Sequence, residues 1–262
     1  MNLIQVDDIL QAELLIYKKI RENAFSADNS FIADSPKVVN LLLESEVKIK
    51  SILATQEYYD EFKALVERKE IEFLYVAEKK ELEKVVGHTL HHNCMMHGTR
   101  PAQTELKNLG DNVIMLDEIS SSENVGSIAR SAAALGVNSY LLPSKAPNPF
   151  NRRALRVSMG HSALLQTHIY EDIFGTIESL KKSGYKIFAA EVTQSSTPLM
   201  EATVPRKWVL LMGHEGKGLS QEILNLCDEV VTIEMQEGIK SFNVAVAASI
   251  IMYTFKQKSQ KR

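Results

Sequence analysis

Cysteine is nearly absent from this chain. Cys94 and Cys227 are the two in 262 residues, far apart in sequence, which argues against a disulfide framework and for a reducing compartment. No stretch approaches the ~18 consecutive apolar residues of a membrane-spanning helix. The best candidate, Val244 to Phe255, is short and is interrupted by Ser249 and Thr254. The opening residues, MNLIQVDDIL, place acids where an export leader carries a basic segment. The expected location is therefore the cytoplasm, with no membrane partner. With 45% apolar and 24% charged residues, the composition is that of a folded globular chain, neither disordered nor fibrous.

A strong excess of positive charge is also missing: the net charge is −3. Residues 1–105 hold 13 basic against 18 acidic residues, and residues 106–262 hold 17 against 15. Neither half is a basic domain, so phosphate contacts would have to come from local patches. The best patch is Asn151 to Arg156, with Arg152, Arg153 and Arg156 as candidate RNA contacts. The alternative, a solvated helix face, stays open at this point.

What is present is alternation of helical and strand-like segments. In the first hundred residues, the spacing predicts helices over 7–21, 36–43, 57–68 and 79–86, with strands over 49–55 and 72–76. Pro36 sits at an early helical position, where its missing N–H costs little. Gly98 to Pro101 reads as a closing turn, and the boundary between two domains is expected between Gly98 and Leu109. The remainder predicts strands over 113–116, 139–142, 164–170, 186–190, 208–212 and 229–233. Helices are predicted over 123–135, 150–158, 173–182, 220–226 and 242–255. This rhythm predicts an α/β fold with a parallel sheet covered on both faces. The last helix is apolar almost all round, so it must be covered on more than one side.

Three polar or glycine-marked loops fall at the ends of predicted strands, where open parallel sheets bind ligands. The first contains Asn124, Gly126 and Arg130. The second, Gly213 to Gly218, alternates glycines without the spacing of a phosphate-binding loop or a dinucleotide fingerprint. The third runs from Ile233 to Val244, and its Ser241 is placed to cap the last helix.

Together, in this order, the three loops resemble the motifs of the SpoU/TrmH family of RNA ribose 2′-O-methyltransferases, within the SPOUT class. Asn124, Gly126 and Arg130 match the first motif. Gly213, Glu215, Gly216 and Gly218 match the second, with His214 where Asn is usual. Ile233, Met235, Gly238, Ser241, Asn243 and Val244 match the third, with Glu234 in place of Pro and Phe242 in place of Leu. The resemblance covers about residues 112–256. It implies a C-terminal trefoil-knotted parallel-sheet domain over 106–262. Residues 1–105 are more loosely similar to the small α/β/α, ribosomal-protein-like substrate-binding domain that often precedes it. There Phe31 to Val39 resembles the usual opening, with Asp34-Ser35 where Glu-Gly is common.

The resemblance implies S-adenosyl-L-methionine (AdoMet) as cofactor, with Gly213, Ile233, Phe242, Met235 and Gly218 around it. It implies Arg130 as the activating group, with Asn124, Glu215, Ser241 and Asn243 completing the catalytic set. A guanidinium is a poor base, so polarising a phosphate or a developing alkoxide is the easier role. Asn124 would orient Arg130 or the ribose, and Glu215 would pair with an arginine, either of its own chain or across a dimer. His214 either preserves a hydrogen bond made by Asn or marks altered activity. The expected substrate is rRNA; the alternatives are the same reaction on tRNA and a catalytically silent RNA-binding homologue. The expected assembly is a homodimer through the small residues of 124–134 and the last helix. The run His88, His91, His92, Cys94, His97 lacks paired metal-ligand spacing and reads as surface histidines near the linker, so no metal is expected.

Overall fold

Alternate residues of the first-half strands are apolar on both faces, so this sheet needs cover on both sides. The computed structural model of the chain supplies it, and describes residues 2–6, 14–18, 29–87 and 89–259. The elements of the first half are β1 (Asn2–Gln5), α1 (Leu15–Lys18), β2 (Ser30–Asp34), α2 (Pro36–Leu43), β3 (Lys48–Ala54), α3 (Gln56–Arg68), β4 (Phe73–Val76), α4 (Lys79–Val86) and β5 (Cys94–Thr99). Those of the second half are β6 (Asn112–Leu116), α5 (Ser122–Leu135), β7 (Ser139–Pro143), α6 (Arg152–Val157), β8 (Gln166–Tyr170), α7 (Ile173–Lys182), β9 (Lys186–Ala190), β10 (Thr197–Pro198), β11 (Trp208–Met212), α8 (Gln221–Leu226), β12 (Glu229–Thr232) and α9 (Val244–Ser259). Among the described residues no helix is long and apolar enough to cross a membrane.

The chain divides into two units: Met1–Ala102 with Pro149–Ala163, and Gln103–Asn148 with Leu164–Arg262. Residues 149–163 thus depart from the single cut near 105 that the sequence suggests. The reason is apolar: Phe150, Leu155 and Ala163 are buried in the core of the first unit, where Phe150 meets Phe31 edge-on at 5.1 Å.

The first unit has a five-stranded mixed sheet in the order β1-β4-β3-β5-β2. Leu53, Tyr75 and Met95 face Leu82 and Val85 of α4, while Ile52, Leu74 and Met96 face Val39, Leu42, Tyr58 and Val66 of α2 and α3. This strict alternation makes an α/β/α sandwich. Strands β1, β2 and β5 were not expected. Gly98 and Thr99 continue β5 where the sequence suggested a turn. Glycine suits position 98 because the Phe31 ring lies over it, 2.6 Å from where a Cβ would stand. The predicted helix over 7–21 is described only at 14–18, and the rest of it lies outside the described residues.

The second unit holds a seven-stranded sheet in the order β10-β12-β9-β11-β6-β7-β8, parallel throughout. Val113, Met115, Ile187, Ala189, Val209 and Leu211 form one face with Ile177, Leu180 and Ile223 of α7 and α8. On the other face, Phe255 of α9 packs against Phe188 at 4.7 Å and Trp208 at 5.2 Å. Helices α5 and α9 adjoin, linked by Ser249 Oγ and Ser131 Oγ at 2.7 Å. Strand order moves outward from β6 to β8, then restarts at β9, with β11 inserted between β9 and β6. That reversal is the point at which loops diverge and leave a crevice.

Ser35 precedes α2 with φ +82° and ψ 141°, a region that a side chain rarely adopts. Ser35→Gly should therefore raise the free energy of unfolding by about 1 kcal/mol in urea denaturation. An unchanged or lowered midpoint at constant slope would show that the backbone there is not strained.

Candidate active site

Four adjacent strands, β12, β9, β11 and β6, present their carboxyl ends side by side. The loops that leave β9, β11 and β12 line a cavity of about 310 Å³. One wall is the glycine loop 213–218, another the segments 231–235 and 240–244, and the apolar floor comes from Ala247 and Ile251 of α9.

The glycine loop is held by its histidine. His214 Nδ1 accepts from Gly216 N at 2.9 Å and Lys217 N at 3.2 Å, and Gly218 N donates to His214 O at 2.9 Å. An Asn side-chain oxygen makes the same kind of turn with backbone N–H groups two and three residues on. Since Nδ1 accepts, the ring proton sits on Nε2. Gly218 has φ +68°, and Glu191 Oε2 lies 2.1 Å from where its Cβ would be. Only glycine lets that carboxylate close over the loop: Glu191 Oε2 accepts from Leu219 N at 3.0 Å, and its Oε1 from Val192 N at 3.0 Å.

Asn124 ties the three loops together. Its Nδ2 donates to Glu215 Oε1 at 2.8 Å, and its Oδ1 accepts from Asn243 Nδ2 at 3.2 Å. Asn243 Oδ1 accepts from Ala245 N at 2.9 Å and Val246 N at 3.3 Å, so Asn243, not Ser241, caps α9. Asn124 itself enters α5 just after Ser121, whose Oγ accepts the Asn124 N–H. Burial would raise the Glu215 pKa. The hydrogen bond from Asn124 and backbone N–H bonds from Glu215 and Ser120 outweigh it, and the pKa lies below its ordinary value. Asp117, just past β6, is shifted upward by burial and by Glu118.

The five residues expected to surround the cofactor, Gly213, Gly218, Ile233, Met235 and Phe242, all line the cavity, as does Ser241. Asn124, Glu215 and Asn243 form one bonded cluster. Arg130 stands apart: it is exposed on α5, and among the described residues it has no hydrogen-bond or ion-pair partner. Within this chain the Asn124 carboxamide bonds Glu215 and Asn243 rather than Arg130, and among the described residues no arginine pairs with Glu215. Glu191 and Lys240 also line the cavity and were not singled out from the sequence. Glu191 could have been found from its position just past β9, at the carboxyl edge of a central parallel strand.

The basic patch lies in the first unit. Arg152 and Arg156 are paired with buried Asp34 rather than solvated, and Arg153 is exposed. Cys94 and His97 belong to β5, not to a linker surface. His97 Nε2 meets Ser30 Oγ at 2.7 Å, burial pushes the Cys94 thiol pKa well up, and His88 lies outside the described residues. Among the described residues no cluster of three or more such side chains is arranged to hold a metal ion.

The profile of the SpoU rRNA Methylase family matches residues 111–253. An uncharacterized tRNA/rRNA methyltransferase of Mycobacterium bovis is 32% identical over 185 residues, spanning 68% of this chain and 64% of that protein. The fold is shared with two solved structures. The AdoMet-bound rRNA methyltransferase of Sinorhizobium meliloti has a TM-score of 0.82 at 20% identity, covering 97% of this chain and 98% of that one. The SpoU methyltransferase AviRb of Streptomyces viridochromogenes has a TM-score of 0.81 at 19% identity, covering 96% and 98%.

His214→Asn should keep ligand affinity within about twofold, while His214→Ala, which strands two backbone N–H groups, should weaken it roughly tenfold by calorimetry with AdoMet. Equal affinity for all three proteins would show that the imidazole does not hold the loop. The depressed Glu215 pKa gives a signed pH dependence. A carboxylate with a lowered folded pKa stabilises fully above its ordinary value of 4.5, and that contribution is lost as pH falls through the folded value. The melting-temperature gap between wild type and Glu215→Gln should thus be constant near neutrality and narrow in acid. A gap that widens below pH 4.5 would reverse the assignment.

Proposed function

The chain belongs to the SpoU rRNA Methylase family, and from that premise we propose that it transfers a methyl group from AdoMet to a ribose 2′-oxygen of RNA, with rRNA as substrate. The observation that carries this reading is the Asn124–Glu215–Asn243 cluster, which joins three loops beside one cavity at the reversal of a parallel sheet. The residues present suit AdoMet. Gly213 and Gly218 let backbone line the cavity, while Ile233, Met235 and Ile251 offer it apolar surface and Lys240 a cation for a carboxylate. When bound, AdoMet supplies an electrophilic methyl group on a sulfonium centre.

The chain's own groups then divide the work. Main-chain N–H and C=O groups of Gly213, Ile233 and Phe242 hold the adenosine part, which makes Phe242 an acceptable replacement for Leu. Ser241 and Asn243 shape the side where the ribose enters, and much of the acceleration comes from positioning. The exposed guanidinium of Arg130 polarises a phosphate or the developing alkoxide of the 2′-oxygen. Strand β11, inserted between β9 and β6, and the segment leading to α9 form the trefoil knot of this class. Residues of the first unit contribute RNA contacts.

Assembly completes the site. Val246 and Tyr253 on α9 are 46% and 56% exposed and, with Ile250, follow helical spacing along one stripe. A two-fold pairing of this stripe covers it on both subunits, and brings Arg130 of one subunit to the cofactor cavity of its partner.

Light scattering should give about 59 kDa, twice the 29.4 kDa chain. Arg130→Ala should lower methyl transfer to rRNA by roughly 100-fold or more, with AdoMet affinity retained. Mixing it with a Gly213→Pro variant should restore activity through hybrid dimers. A monomer of full activity, or Arg130→Ala at the wild-type rate, would refute the shared site. Mapping 2′-O-methyl positions after reaction with rRNA and with tRNA separately decides the substrate.

A further inference from the structure

Two carboxylates line the cavity of about 310 Å³, Glu191 and Glu215. Glu215 is engaged by Asn124; Glu191 is placed differently. Strand β9 lies between β12 and β11, with Ala190 opposite Val231 on one side and Met212 on the other. The next residue along, Glu191, therefore stands between Thr232 and Gly213, and its N–H donates to Val231 O at 3.2 Å. It leaves the sheet between the two strand ends, at Gly213 and Ile233, whose main chain is proposed to hold adenosine. All of these residues line the same cavity.

The Glu191 carboxylate is fixed but not used up. Its Oε2 accepts from Leu219 N and its Oε1 from Val192 N, each at 3.0 Å. An ionised carboxylate has about four acceptor positions, so each oxygen keeps about one. The residue is partly exposed, and among the described residues no cation pairs with it. Tying down the glycine loop needs only a neutral acceptor, whereas an ionised group on a cavity wall gains from every further donor that reaches it. Gly218, by having no Cβ, leaves room for the carboxylate on this wall.

We propose that Glu191 reads the ribose of the cofactor, each carboxylate oxygen accepting from one of the 2′- and 3′-hydroxyls, a role that rests on the AdoMet reading above. Two open acceptor positions on adjacent oxygens match two O–H donors on adjacent carbons. Dinucleotide-binding folds set an acidic side chain against ribose hydroxyls for the same reason. The other donors of AdoMet suit this group less well. The adenine amino group stands beside ring nitrogens whose lone pairs would repel the second oxygen. The methionine ammonium stands beside a carboxylate, which the charge of Glu191 would repel. Because its two backbone partners already orient the carboxylate, little ordering remains to be done when the ribose arrives.

The test is calorimetry of the full-length chain with AdoMet and its 2′-deoxy and 3′-deoxy analogues, on wild type, Glu191→Ala and Glu191→Gln, each checked by melting temperature. The ammonium and the adenine amine are common to all three ligands, so differences among them report the hydroxyls alone. Wild type should bind each deoxy analogue roughly tenfold more weakly than AdoMet. In Glu191→Ala that penalty should shrink to within about twofold, although AdoMet itself binds more weakly. Glu191→Gln, which keeps the shape of the side chain, should also reduce the penalty. Loss of the loop tether alone would weaken all three ligands together, so a penalty unchanged in either variant would overturn the proposal. Equal affinity of wild type for the three ligands would overturn it without any variant. AdoMet bound without preference for its hydroxyls refutes only the role of Glu191, whereas no binding of AdoMet refutes methyl transfer and that role with it.

Discussion

The second unit depends on one carboxamide. Asn124 is the first-turn residue of α5, yet both ends of its side chain are committed outside that helix, to Glu215 and to Asn243. Asn243 in turn begins α9. The glycine loop, the start of α5 and the start of α9 are therefore one polar network rather than three loops that happen to be close. An amide suits this position because it donates and accepts in opposite directions at once; a carboxylate would only accept, and an aliphatic side chain would remove one partner from each of Glu215 and Asn243. The depressed pKa of Glu215 is the electrostatic trace of the same arrangement.

Much of this architecture was legible in residue patterns, for identifiable reasons. Helix α5 is bounded by Ser121 and by Gly136 at φ +76°, and α2 by Pro36 at its first turn; such caps are local chemistry and survive folding unchanged. Strands β9 and β11 were readable because parallel strands covered on both faces are continuous apolar runs. Strands β1, β2, β5 and β10 were not. β10 is two residues long, and β5 carries Cys94, Met95, Met96 and Gly98, which have no strand signature without knowledge of Phe31 above the glycine. Density of histidine likewise drew attention to ligand chemistry, when His97 is simply hydrogen-bonded to Ser30 within a sheet.

The candidate site was legible in its motif positions and illegible in its geometry. All five expected cofactor residues line the cavity, but which side chain caps α9 could not be settled by spacing alone, since Ser241 and Asn243 are both good caps. Glu191 escaped notice because nothing adjacent to it in sequence is distinctive. Its role arises from the neighbouring strand, whose Gly218 leaves space for a carboxylate. For the replacement of Asn by His at 214, spacing left open whether a hydrogen bond is preserved; the imidazole accepts from the two N–H groups that an amide oxygen would take.

The first unit is discontinuous, with residues 149–163 supplying part of its core and both arginines that face Asp34. During synthesis this means that the amino-terminal half cannot finish folding when its own sheet has emerged. Its core stays open, and Asp34 unmatched, until residue 163 has left the ribosome. By then β6 and β7 already exist, although β11, the strand that pairs with β6 on its other side, does not. The two units are therefore made interleaved in time. A chain halted near residue 105 would lack Phe150, Leu155 and Ala163 of its core and both arginines that pair with Asp34, leaving apolar surface exposed in an aggregation-prone intermediate rather than a finished domain.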